Sequence, residues 1–178
     1  MTWLPTFYDR VMKLPENISI MMASILAISL GFGRLLAGTL TKKYSWIAIL
    51  IFCLVAASLI ILFILPEAVS IDVGQINTIS DVPLIGFAFP LIGFFIAPIY
   101  PLINSVILSA LPKEKHSAMT GLIVIFSSLG GTLGSRAIGW LFKNLGGDQA
   151  FFFTLIPIIG LMISLTILHK WTTSSEKL

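Results

Sequence analysis

Charge is scarce in this sequence, and that scarcity excludes an ordinary water-soluble domain. Only 11% of the 178 residues are charged, whereas soluble domains carry about 25%. The formal net charge of +3 is too small an excess to favour nucleic acid as a partner. There is one cysteine, Cys53, so an intrachain disulfide and a cysteine-based metal or redox motif are excluded by count.

Acidic residues are missing from every long apolar run, and both histidines, His116 and His169, lie outside membrane depth. These runs therefore offer no intramembrane carboxylate for proton coupling. The sequence also lacks paired carboxylates, a zinc-ligand cluster, a phosphate-cradling loop and a nucleophile with a histidine partner. We expect no enzyme activity, no metal site and no cofactor.

Apolar residues make up 57% of the chain, and they are concentrated in five long runs. About 20 apolar residues form a helix that crosses a bilayer core roughly 30 Å thick. Continuous runs of this length favour helices over barrel strands, because every backbone amide in lipid must bond internally. The sequence thus predicts one all-α integral membrane domain over 1–178, with helices at 18–40, 45–65, 84–109, 117–142 and 150–168.

Basic residues in the connections alternate between the two faces of the predicted bundle. One set of connections holds Lys42, Lys43, Lys113, Lys115, Lys170 and Lys177, and the other holds Arg10, Lys13 and Lys143. Lys and Arg in short loops are preferentially retained in the cytoplasm. The set with six basic residues, against three in the other set, is therefore predicted to be cytoplasmic, and it includes the C-terminal tail, 169–178. Five crossings then place residues 1–17 outside, which is unusual for a complete gene product.

The first predicted helix ends in small residues that lead into a basic turn, Gly33-Arg34-Leu35-Leu36-Ala37-Gly38-Thr39-Leu40-Thr41-Lys42-Lys43. This stretch resembles the loop between the eighth and ninth helices of major facilitator superfamily transporters. The order of other pieces agrees with that resemblance. The outer end of a seventh helix is resembled by Trp3-Leu4-Pro5-Thr6-Phe7. The turn between the tenth and eleventh helices is resembled by Pro112-Lys113-Glu114-Lys115. A glycine-rich eleventh helix is resembled by Gly130-Gly131-x-x-Gly134 with Gly139.

The resemblance implies helices eight to twelve of a twelve-helix secondary transporter, and hence an incomplete half of its bundle. Such transporters move a small polar solute by alternating access around a central site. The proline-rich tenth helix and the Leu4-Pro5-Thr6-Phe7 segment most resemble sugar–proton symporters of the fucose permease type. In a proton symporter, the coupling residues would belong to the part that this chain lacks.

Within the basic turn, the candidate gating residues are Gly33, Arg34, Gly38, Lys42 and Lys43. Arg34 lies about one and a half turns before the predicted cytoplasmic end, so its side chain can snorkel to the interface or cap helix carbonyls. A second hypothesis is a state-dependent contact with a neighbouring helix end, with Gly33 and Gly38 permitting close approach. The family resemblance adds support to the second hypothesis, and both stay open.

The third predicted helix contains Pro90, Pro98 and Pro101, so we expect it to be broken or tilted. Carbonyls freed by internal prolines are tolerated at membrane depth only against protein or a wet cavity, which directs the 98–104 segment inward. Tyr100 and Asn104 share one helix face and offer a hydroxyl and a carboxamide to a polyhydroxylated or amide-bearing ligand. The alternative is hydrogen bonding between helices. The candidates for a solute cavity are Pro98, Tyr100, Pro101, Asn104 and Arg136.

The fourth predicted helix carries a ladder of small residues that predicts close helix packing. A seam along which helices slide would use the same residues. Arg136, near the outer end of this helix, either snorkels outward or faces the cavity to meet an anionic group. The helix-packing candidates are Ser127, Gly130, Gly131, Gly134, Ser135 and Gly139.

Two functions from different classes are compatible with these observations. The first is the C-terminal part of a transporter in a bacterial inner (plasma) membrane, inactive alone. Its partners would be the lipid bilayer, a small solute, and either a missing N-terminal portion or a second copy of itself. The second is a standalone five-helix accessory or assembly subunit that moves no solute.

Overall fold

The computed structural model describes residues 14–64, 78–145 and 152–175, and these residues form helices with no strand among them. The predicted seventh-helix segment at 3–7 and most of the 66–83 loop lie outside the described residues. The α-helices are α1 (Glu16–Leu40), α2 (Trp46–Leu59), α3 (Ala88–Ile96), α4 (Ile99–Ser109), α5 (His116–Leu145) and α6 (Leu155–Ser175). A π-helix, Ile60–Ile64, extends α2, and short 3-10 turns precede α3 and α5.

Helix α1 begins where Pro15 fixes an extended backbone and Glu16 places a carboxylate at the positive end of the helix dipole. It ends at Leu40, where the Thr39 and Thr41 hydroxyls donate to the carbonyl oxygens of Leu36 and Gly38. After the tight turn, Ser45 caps α2 by accepting a hydrogen bond from the Ala48 amide. The basic turn is therefore ordered at both of its ends.

The third predicted span is broken into α3 and α4 at the turn formed by Ala97 and Pro98. Pro98 has no amide hydrogen, so the Phe94 carbonyl loses its partner within the helix. Helical bonding continues on either side, since the Ala97 amide donates to the Gly93 carbonyl and the Leu102 amide donates to the Pro98 carbonyl. The proline pattern is the physical cause of the break.

Helices α1 and α3 share the most extensive contact between helices of the described chain. Gly33 lies directly against the Phe94 carbonyl oxygen, and a Cβ at this position would collide with it. The absence of a side chain thus lets α1 approach the carbonyl that Pro98 leaves free. One turn away, the Ser29 hydroxyl donates to the Pro90 carbonyl at 2.6 Å. Small residues and a polar bond hold this crossing together.

The main apolar core joins α1, α2, α3 and α6. Its fully buried centre is Met22, Leu50 and Leu54, and it extends to Phe89 and Leu165. Helix α5 is different, because none of its residues is buried and it packs on little besides α4 and the adjoining turn. This 30-residue helix is about 45 Å long, and the other described residues leave most of its surface uncovered.

Several helix ends differ from the predicted spans. Helix α5 runs from His116 through Leu145, beyond the predicted 117–142. The predicted start of the last span, at 150, lies outside the described residues. Helix α6 continues to Ser175, into the segment 169–178 that is predicted to be a cytoplasmic tail, and the location of this segment stays a prediction. One reason for the continued helix is a contact that hydropathy cannot report: the His169 ring packs edge-on against Trp46, with centroids 6.4 Å apart.

Four helical stretches of the described chain are long and apolar enough to cross a membrane: Glu16–Leu40, Trp46–Phe63, Leu84–Ser109 and Lys113–Leu145. A shorter apolar helix, Leu155–Lys170, makes a fifth. The expected fold class, an all-α membrane protein of about five helices, is confirmed.

Candidate solute site and basic turn

Two of the predicted solute residues, Tyr100 and Asn104, line the same groove. We call it the α4–α5 groove, because its walls are α4 and α5, with α6 and the middle of α2 closing it. It encloses about 590 Å³ and includes Ser127 from the predicted packing ladder. The remaining lining is mainly aliphatic, with Pro157, Ile158 and Leu161 contributed by α6. An apolar pocket with a few polar groups is the usual form of a small-molecule site.

The polar groups of this groove have unused hydrogen-bonding capacity. Within the described residues, the Tyr100 hydroxyl, the Asn104 carboxamide and the Ser127 hydroxyl form no hydrogen bond with protein. By contrast, Thr132 and Thr120 on α5 satisfy their hydroxyls by donating to carbonyls four residues earlier. The three groove residues can therefore bond a ligand without first breaking a protein contact.

The other predicted cavity residues lie elsewhere. Pro98 is buried and lines a different cavity, between α1, α2 and α3. Pro101 is exposed and is not among the residues that line the groove, although it lies one position from Tyr100. Arg136 is exposed near the far end of α5, away from the groove lining. The structure thus brings together Tyr100 and Asn104, and separates them from Pro98, Pro101 and Arg136.

The ladder of small residues on α5 faces open space in the described chain. A Cβ built on Gly130, Gly131 or Gly134 would meet no atom within 4 Å, and Ser135 is exposed. Gly139, further along, is half-buried. Gly130, Gly131 and Gly134 therefore have no packing partner among the described residues.

The sequence profile of the Major Facilitator Superfamily matches residues 1–135, which include the basic turn, the α4 and α5 walls of the α4–α5 groove and most of the ladder. The chain belongs to this superfamily. A curated relative, MFS transporter asaE of Aspergillus flavus, is 29% identical over 151 residues. The match covers 82% of this chain and 31% of that relative, so the chain spans less than a third of the relative's length. No solved structure matches the chain.

Within this major facilitator superfamily chain, the basic turn has two distinct faces. Gly33 is buried against α3, whereas Arg34, Gly38, Lys42 and Lys43 are exposed. Nothing lies within 4 Å of a Cβ built on Gly38, and Arg34 makes no hydrogen bond or ion pair with the described residues. Gly33 therefore serves the packing of α1 on α3, while the exposed residues are available to other surfaces.

Two features of this membrane protein were not predicted from its sequence. The Ser29–Pro90 bond joins residues 61 positions apart, and no periodicity pairs them. The α6 wall of the groove was also missed, although Pro157 marks it as another proline inside an apolar run. Prolines at membrane depth would have been the usable indication in both cases.

Proposed function

We propose that this chain is the C-terminal part of a secondary active transporter that moves a small polar solute by alternating access. In this proposal the α4–α5 groove is part of the solute pathway, and the chain needs the rest of a transporter to be active. Sugar–proton symport of the fucose permease type is the narrower form of the proposal. Superfamily membership supports a membrane transporter rather than an enzyme.

The observation that carries the proposal is the convergence of Tyr100, Asn104 and Ser127 on one groove. Between them they offer two hydroxyls and a carboxamide, which can donate to and accept from a polyhydroxylated solute. Tyr100 is 50% exposed, so its ring can also contact the apolar face of a sugar. An apolar groove with these groups supports a neutral polar solute over a charged one.

The test is the substitution Asn104→Leu in a full-length transporter that carries this chain. We expect solute binding to weaken by about five- to 150-fold, because a buried solute group left without its partner costs about 1 to 3 kcal/mol. Binding is measured with radiolabelled sugars on purified protein in detergent. Tyr100→Phe tests the hydroxyl separately while retaining the ring.

Leu108→Ala is the matched control, since it lies one turn beyond Asn104 on α4 and is absent from the groove lining. It should leave solute binding unchanged. If Asn104→Leu and Tyr100→Phe both bind solute like the unmodified protein, the groove is not a solute site and the two polar side chains only join helices.

A further inference from the structure

A second cavity, which we call the basic-face cavity, lies between α1, α2 and α3 next to the basic turn. It encloses about 430 Å³, within the range of about 300 to 1,000 Å³ that small-molecule sites occupy. Its walls are almost entirely apolar, with Ala37 and Leu40 from α1, Phe52 from α2 and Phe95 from α3. Its lining extends about 10 Å along α1, from Gly33 to Leu40.

Two exposed lysines lie next to the lining of this cavity. Tyr44, which lines the cavity, belongs to the same turn as Lys42 and Lys43. The Lys43 ammonium lies 5.5 Å from the centre of the Tyr44 ring, which places a positive charge beside the cavity wall. Neither lysine forms an ion pair with the described residues, and the carboxylate of α1, Glu16, lies at the opposite end of that helix, about 36 Å away.

The lysines and the cavity also follow one another along α1. Helix α1 is long enough to cross the hydrocarbon core and ends at Leu40, so we expect the basic turn at the boundary between hydrocarbon and head groups, where lipid phosphates lie. Directly below it, the cavity offers apolar walls to a chain that descends from that phosphate. A free inorganic anion would contact the lysines but not the apolar walls. A neutral lipid would contact the walls but gain no attraction from the lysines.

We propose that the basic-face cavity binds one anionic phospholipid, with its phosphate held by Lys42 and Lys43 and the upper part of one acyl chain lying between Ala37, Phe52 and Phe95. This site is separate from the α4–α5 groove, and it does not depend on the proposed solute. Lipid bound there bridges the ends of α1, α2 and α3. It therefore links the composition of the membrane to the packing of the basic turn.

The test measures how strongly brominated phosphatidylglycerol quenches a tryptophan in the cavity wall. The reporter is Phe52→Trp in the 178-residue chain, with Trp3, Trp46, Trp140 and Trp171 replaced by Phe, reconstituted in phosphatidylcholine bilayers. We expect phosphatidylglycerol to quench at a lower mole fraction than brominated phosphatidylcholine. Lys42→Gln with Lys43→Gln should lower the relative binding constant by about fivefold for each lysine.

Two controls separate a site from general attraction to a charged surface. Lys113→Gln with Lys115→Gln removes the same charge from a basic turn that lines no part of this cavity, and it should leave the relative binding constant unchanged. Ala48→Phe fills the cavity and should abolish the preference, whereas Val55→Phe, on the same helix but outside the lining, should not. Equal effects of the two double-lysine variants, or no preference for phosphatidylglycerol in the reporter, would overturn the proposal.

Discussion

At the scale of single residues, the glycines of this chain have very different surroundings. Gly33 lies against the Phe94 carbonyl and Gly93 lies against the Leu26 side chain, so each removes a collision at the α1–α3 crossing. Gly31, two residues before Gly33 on the same helix, faces open space. The same residue type is thus required for packing at one position and dispensable at the other.

Gly33→Ala should destabilise the chain by about 1 to 3 kcal/mol, because the added methyl group forces α1 away from α3. The free energy of unfolding can be measured by titrating the purified chain with SDS in mixed micelles. Gly31→Ala is the control, and we expect it to be neutral or slightly stabilising, since alanine favours helix more than glycine does. Equal stability of the two variants would show that the close approach contributes nothing.

At the scale of helices, hydropathy was enough to predict an all-α membrane fold of about five helices, because length and apolarity alone define a span. The prolines also indicated a broken third span, and Pro98 provides the break.

Which helices contact each other could not be predicted from the sequence, because lipid is as apolar as the helix faces and offers no contrast between them. Gly33 was predicted to permit close approach of a neighbouring helix end, and the structure identifies that neighbour as α3. Tyr100 and Asn104 line one groove, as their spacing of four residues predicts. The α6 wall of that groove could not be predicted, because only the folded structure brings α6 close to α4.

The arrangement of helix ends leads to a prediction of topology. The basic turn, the Lys113–Lys115 turn and the end of α6 are predicted to face the cytoplasm, and the residues before α3 the outside. With Cys53 replaced by serine, a cysteine introduced by Ser80→Cys should react with an impermeant maleimide in intact cells. One introduced by Glu114→Cys should react only after lysis. Both positions are exposed, so accessibility within the fold does not limit either reaction. The reverse pattern would contradict the predicted orientation.

At the scale of the whole molecule, α5 leaves most of its surface uncovered, including the ladder of small residues and Arg136. Polar groups at membrane depth are costly unless protein or water covers them. This agrees with the proposal that the chain works with the rest of a transporter, since alternating access needs two bodies that close around one site.

We therefore expect the 178-residue chain alone to insert into membranes but to show no saturable uptake of radiolabelled sugars in proteoliposomes. Co-expression with an N-terminal transporter portion should raise its abundance and produce uptake that neither part shows alone. A standalone accessory subunit would show neither effect. Saturable, substrate-specific uptake by the purified chain alone would instead indicate that two copies build the pathway.

The prolines of the third span have a consequence for biosynthesis as well as for the folded bundle. The 84–109 stretch is rich in Ile, Leu and Phe, a composition that favours cross-strand association when such a segment is exposed before insertion is complete. Pro90, Pro98 and Pro101 each remove a backbone donor, so no extended form of this stretch can pair continuously with a neighbouring chain. We therefore expect substitution of these prolines by alanine to increase aggregation of the nascent chain as well as to straighten the helix.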